Sequence, residues 1–301
     1  MSAPAVPSSP SAAAPRWALP ALILGAIAIG FSPLFVRLSE LGPTATAFWR
    51  LALALPLFYG WTVVAARNRA APPAPLGRAA KIRLLIAGLL FTGDLFSWHW
   101  SIHLTTVANS TLFANFAPIF VVFGAWAFFG ERPKAVFLAG LAFTFLGAGC
   151  LIANSLSIGM EHALGDGLGI VTAVFFGSYI LVVKDLRSRI DAPRLMLWSS
   201  LVTAIALLPL ALATEGRIFP ESAAGWLVLI ALAWISQAAG QGLIAEAVGH
   251  LPAGLSSLVI LVEPLAAAII GWVLLGEALG PVELLGGALI LAGIMIARRG
   301  T

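Results

Sequence analysis

The chain has 301 residues, of which 60% are hydrophobic and only 10% charged, with 17 basic side chains against 13 acidic ones. A soluble domain keeps roughly a quarter of its residues charged, so most of this surface cannot face water. The net charge of +4 does not point to nucleic acid either, because the basic residues sit in short loops between apolar stretches, as a membrane topology signal does.

Residues 1–15, rich in Ala, Pro and Ser and without charge, read as a disordered tail that ends at Arg16. From Trp17 the chain runs apolar for about 20 residues at a time, the length that crosses hydrocarbon. The first stretch is too long for a signal-peptide core, and more follow it, so it is read as the first span. Spans are expected at 17–36, 44–66, 83–103, 106–129, 135–153, 165–184, 195–213, 223–248, 253–275 and 281–297, with Gly and Pro at many borders. The expectation is an all-α integral membrane protein of ten transmembrane helices. With that number both termini share a side, and 14 of the 17 basic residues fall on it. Arg37 and Arg217 lie opposite, and Arg50 lies within a span. The positive-inside rule then puts both termini in the cytoplasm and the chain in the cell's inner membrane. Cys150, alone in an apolar run, reads as a small buried hydrophobe. No Cys/His framework for a metal is seen, and no cofactor is expected.

Two segments match at an offset of 146 residues, one from Ala108 and one from Gly254. Leu112 pairs with Leu258, Pro118 with Pro264, Trp126 with Trp272, Gly130 with Gly276, Glu131 with Glu277, Gly140 with Gly286 and Gly147 with Gly293. Earlier in each half the match is weak, as between Gly30-to-Arg37 and Gly177-to-Lys184. An offset of five spans is odd, so the second copy enters the membrane inverted. Residues 17–154 and 155–299 are thus read as two inverted five-helix repeats, an architecture of transporters that alternate access to a midplane site.

These repeats, with Phe48-Trp49-Arg50-Leu51-Ala52 opening the second span, resemble the drug/metabolite transporter superfamily, in particular its EamA-type exporters. The resemblance covers nearly the whole chain after residue 16. It implies ten helices, cytoplasmic termini, export of amino acids or other metabolites including aromatic ones, and a cavity among helices 1, 3, 4, 6, 8 and 9.

A charge in hydrocarbon costs at least roughly 2.5–3.5 kcal/mol. Asp94 lies halfway along the third span, and Glu263 halfway along the ninth, next to Pro264. Each is read as a substrate-ammonium or proton-coupling group, against a structural carboxyl bonded to a neighbouring helix. Trp98 and Ser101 share a helix face with Asp94. His99 and His103 stand at i, i+4 but lack a third ligand or an HExxH pattern for zinc. His99 divides between cavity and packing, and His103 reads as interfacial packing. In span 8, Trp234, Gln237 and Gln241 share a face at α-helical spacing, as a cavity wall or a helix contact. Asn115 and Tyr179 complete the candidate binding set. Pro118 and Pro264 each remove a mid-helix donor and are candidate hinges or gates, or simple bends. Arg50 reads as snorkelling or paired with an acid, and Glu131 and Glu277 as contacts at helix ends.

The function expected is secondary or passive export of amino acids or similar small metabolites, since no Walker motif is present and intramembrane basic clusters that would suit phosphorylated substrates are missing. A membrane-embedded enzyme needs paired catalytic groups near an interface, which this pattern does not supply. Drugs or nucleosides remain open as cargo. The partners expected are a small-molecule substrate and the lipid bilayer, without nucleic acid; monomer and homodimer both stay open.

Overall fold

In hydrocarbon an unpaired backbone N–H or C=O costs several kcal/mol, which makes the helix the local solution for so apolar a chain. The computed structural model describes residues 14–68, 75–153, 160–275 and 280–300, and these are helical with no strand among them. The tail expected over 1–15 falls almost wholly outside the described residues, as do Gly276 and Glu277 of the repeat.

In chain order the helices are α1 (Ala18–Ile29), α2 (Ser32–Leu38), α3 (Pro43–Ala52), α4 (Leu55–Arg67), α5 (Arg78–Leu104), α6 (Val107–Ala114), α7 (Ala117–Phe129), α8 (Ala135–Ile152), α9 (Ala163–Arg187) and α10 (Ala192–Thr214). There follow α11 (Ala223–Ala231), a π-helical segment (Leu232–Gln241), α12 (Gly242–Val248), α13 (Ala253–Ile260), α14 (Val262–Leu275) and α15 (Pro281–Arg299). Among the described residues, eight helical segments are long and apolar enough to cross a membrane, and Ala135–Cys150 is a shorter apolar helix. Helix α5 is 27 residues long but carries Arg78, Lys81, Arg83 and Asp94.

Four expected spans are each broken once, between α1 and α2, α3 and α4, α6 and α7, and α13 and α14. Each break is followed within a few residues by a proline: Pro33, Pro56, Pro118 and Pro264. A proline in the first turn of a helix loses nothing, because that N–H has no intrahelical acceptor anyway. Pro118 and Pro264 therefore start the second half of a broken helix rather than kink a continuous one.

Small residues set the closest packing. Helices α8 and α15 run antiparallel, and a Cβ on Gly140 would come within 2.5 Å of the Gly293 carbonyl, one on Gly147 within 2.5 Å of the Gly286 carbonyl. Helix α1 packs on the π segment and α12 in the same manner, where a Cβ on Gly25 would meet the Gly240 carbonyl at 2.8 Å. Helix α5 packs on α9 and α10, α3 on α10, and α7 on α13. Large apolar side chains stand outward in number, among them Trp126, Phe128, Trp272 and Met295. A lipid-facing surface needs that inversion of the soluble pattern.

The two ends of the bundle are tied differently. At one end Glu215 accepts from the backbone N–H groups of Thr44 (2.5 Å) and Ala45 (3.1 Å) at the start of α3. There too Glu40 accepts from Glu221 N–H (3.0 Å), Ser222 N–H (3.2 Å) and the Ser222 hydroxyl at the start of α11. At the other end Lys184 donates to the carbonyls of Val248 (3.2 Å) and Leu251 (2.5 Å), and Arg187 donates to that of Ala245 (3.0 Å). Anions on helix N-termini and cations on C-terminal carbonyls both follow the helix dipole.

Candidate functional site

The breaks and the small-residue contacts leave a cavity of about 70 Å³ in the middle of the bundle. Its wall takes Ser32 from α2, Arg50 from α3, Phe91, Asp94 and Trp98 from α5, and Thr172 and Phe176 from α9. Asn115 and Pro118 at the first-half break, Gln241 at the end of the π segment, and Leu261 and Glu263 at the second-half break also line it.

Asp94 is 6% exposed and Arg50 3%. Arg50 lies within Coulombic reach of both Asp94 and Glu263. Its Nε donates to Gln237 Oε1 at 2.9 Å. The side chain thus turns inward and does not snorkel to an interface. The amide nitrogen of Gln237, buried with it, has no hydrogen-bond partner, and neither have Gln241 Oε1 and Ser32 Oγ. In so apolar a setting an unmade hydrogen bond of this kind costs about 1–3 kcal/mol.

The structure brings Asp94, Trp98, Asn115, Pro118, Gln241 and Glu263 to one wall. Pro264 is buried next to Glu263. Three other candidates stand one layer back. His99 is fully buried, with Nδ1–H donating to the Leu95 carbonyl at 2.7 Å and its ring edge-on to Trp98. Tyr179 stacks on the cavity residue Phe91 at 4.8 Å between ring centres, with its hydroxyl 3.8 Å from Met196 Sδ. Gln237 meets the cavity only through Arg50. Trp234 is 52% exposed and lies apart from the cavity.

The π segment explains that last placement. With i→i+5 bonding a residue advances by roughly 80° instead of roughly 100°. Gln237 and Gln241 still share a face, but seven residues accumulate more than a third of a turn of difference, which carries Trp234 outward. Arg50 is the charge that sequence reasoning set aside. The cost argument that singled out Asp94 applied equally to Arg50, since it too lies in an apolar stretch. Phe91, Thr172 and Phe176 carried no sequence signal, because each is an ordinary residue of a long apolar helix.

Known proteins resemble the chain over two thirds of its length or more. An uncharacterized transporter of Archaeoglobus fulgidus is 26% identical over 94% of this chain and 97% of its own. A probable terminal-alkyne amino-acid exporter of Streptantibioticus cattleyicolor is 29% identical over 69% of this chain and 68% of its own. The pseudopaline exporter of Pseudomonas aeruginosa is 24% identical over 74% of this chain and 77% of its own. A solved crystal structure superposes with a TM-score of 0.75 at 18% identity, covering 93% of this chain and 96% of that one, which speaks for the fold alone. The model of the EamA-like transporter family matches twice, over residues 16–153 and 163–299, each match taking in one of the two halves. The chain is therefore a multi-pass membrane protein that belongs to the EamA-like transporter family.

Proposed function

We propose that the chain exports amino acids or similar small metabolites, aromatic ones included, by secondary or passive transport with alternating access to the central cavity. The observation that carries this reading is the meeting of Asp94, from the first half, with Glu263, from the second, on the wall of one cavity. Two carboxylates against one guanidinium suit a site that handles an ammonium group or a proton at membrane depth. Two relatives bear names of exporters, one of them of an amino acid. The small cavity volume supports movement, since metabolite pockets usually measure roughly 300–1,000 Å³. Helices that part at the breaks open such a volume.

The accompanying architecture is ten spans in two inverted repeats with cytoplasmic termini. Three observations support it. The breaks at Asn115–Phe116 and at Leu261 stand 146 residues apart, the offset of the repeat. The contacts Gly140–Gly293 and Gly147–Gly286 map onto one another when the halves are exchanged, as a two-fold axis requires. The basic residues gather at the end of the bundle that holds Lys184 and Arg187, which the positive-inside rule assigns to the cytoplasm.

Efflux from cells that overexpress the chain, loaded with a panel of labelled amino acids, tests the function. Faster loss of at least one of them is expected. Unchanged loss of every amino acid, with the protein present in the membrane, overturns the reading. A reporter fused to the C-terminus and found outside overturns the topology.

A further inference from the structure

We infer that Arg50 is the receptor for the substrate's carboxylate, held in place by Gln237, and that the charges gathered at the cavity select zwitterions. This rests on the proposed function and specifies the chemistry of its site.

Arg50 is almost wholly buried and lines the cavity, yet only its Nε is committed, to Gln237 Oε1 at 2.9 Å. A guanidinium carries five N–H donors in a planar fork. The commitment of Nε fixes the plane of that fork and leaves its Nη groups for a carboxylate, the partner that a fork fits in bidentate fashion. A guanidinium kept only to stabilise the bundle has no need to face a cavity. Gln237 is built as a positioning residue: its carbonyl is spent on Arg50, while its amide nitrogen has no partner. On the same wall, Gln241 is 2% exposed and its Oε1 also lacks a partner, so an acceptor is available where an ammonium group arrives.

The charges make the selection. Arg50, Asp94 and Glu263 line the same cavity, and the charges of the two acids reach the guanidinium. A zwitterion that enters gives its carboxylate to Arg50 and its ammonium to the acids that Arg50 no longer engages. Every buried charge keeps a partner. A simple amine draws the acids away from Arg50 and leaves the guanidinium unmatched, and an ester of the same amino acid does likewise. A site whose buried polar groups are left unpaired rejects such analogues strongly.

The test uses the purified full chain in proteoliposomes, with labelled L-phenylalanine as the probe and unlabelled L-phenylalanine methyl ester and phenethylamine as competitors. In the wild type, both competitors are expected to act about tenfold or more weakly than phenylalanine. Arg50→Lys and Arg50→Gln are expected to raise the KM for phenylalanine about tenfold or more, while inhibition by ester and amine does not weaken and, in Arg50→Gln, strengthens because no unmatched guanidinium is left. Gln237→Leu leaves the charge in place and frees its orientation, so it raises the same KM by a smaller factor with the same selectivity. It decides the matter if the Arg50 variants fail to insert. Equal weakening of phenylalanine and of its ester in Gln237→Leu and in any Arg50 variant that inserts overturns the inference alone. A wild type that carries none of the twenty common amino acids overturns both this and the function it rests on.

Discussion

Helix α5 and the α11–π–α12 segment stand at corresponding positions along the two family matches, and they are built differently. Both pack on the first helix of the opposite half, α5 on α9 and the π segment with α12 on α1. Both use glycine for the approach: a Cβ on Gly93 would meet the Phe175 ring at 2.7 Å, and one on Gly240 would meet Ile29 at 2.8 Å. Yet α5 is regular α-helix over 27 residues, whereas its counterpart carries ten π-helical residues. Asp94 of α5 aligns roughly with Gly240 at the offset of 146. The acid and Trp98 come from one segment, the two glutamines from the other. The scaffold is repeated and the chemistry is not, so substitutions in the shared frame and in the unshared groups are expected to act on different measurements.

The largest effects fall on the unshared groups. Asp94→Asn and Glu263→Gln each keep the volume and remove the charge. Each is expected to slow efflux by about tenfold or more, which corresponds to roughly 1.4 kcal/mol in the barrier, with the melting temperature nearly unchanged. Efflux measured against external pH in both variants provides the check. Wild-type rates with wild-type pH dependence in both make these acids part of the frame.

The π segment predicts a second contrast, large but qualitative. In a Cys150→Ala background, a cysteine in place of Gln241 is expected to react with a small aqueous thiol reagent and to be protected by substrate. A cysteine in place of Trp234 faces away from the cavity and is expected to stay unreactive. The reverse pattern sinks the register described for the π segment.

A third, smaller effect belongs to the frame. A Cβ on Gly147 would meet the Gly286 carbonyl at 2.5 Å and Ile290 N at 2.7 Å, and one on Gly293 would meet the Gly140 carbonyl at 2.6 Å and Thr144 N at 2.7 Å, whereas one on Gly149 meets nothing within 4 Å. Gly147→Ala and Gly293→Ala are each expected to cost about 1–3 kcal/mol, and by similar amounts, because these two positions are the ones paired at the offset of 146. Gly149→Ala is the neutral control. Thermal unfolding in detergent reads all of these, and a large difference between Gly147→Ala and Gly293→Ala removes the two-fold argument.

Sequence reasoning reached what periodicity and cost can reach. The helical spans followed from apolar length, and the matched Pro118 and Pro264, read as hinges, gates or bends, stand in the first helical turn after two of the four breaks, where a missing N–H costs nothing. Asp94 and Glu263 stood out because a charge in hydrocarbon needs a reason. The face of span 8 was not legible. A π segment has no composition signature in Leu-Ala-Trp-Ile-Ser-Gln-Ala-Ala-Gly-Gln, and α-spacing applied to it put Trp234 with the glutamines. The inward turn of Arg50 was equally hidden, because it depends on Gln237, which stands 187 residues away.

The smallest predicted effect lies at the end of the bundle where the halves are tied by carboxylates, and it reaches span 8 without touching α5. Glu40 accepts from the Ser222 hydroxyl and from the N–H groups of Ser222 and Glu221 at the start of α11. The Ser222 hydroxyl first, and the Ser222 N–H next, hold its carboxyl below the usual glutamate value of 4.5. A carboxyl lowered on folding stabilises the fold above its unfolded value, and that contribution is lost as the pH falls through the lower, folded one. A Cβ on Gly225 would come within 2.5 Å of this carboxylate, so the glycine is what lets the cap approach. Glu40→Gln is therefore expected to lower the melting temperature slightly at pH 7, and the gap to the wild type is expected to close as the pH drops below 4.5. The group is open to solvent, so added salt is expected to shrink the gap as well. Hydrogen exchange places the effect: faster exchange in the first turn of α11, with α5 unchanged. A gap that persists undiminished at low pH assigns the stabilisation to packing and not to the carboxylate cap.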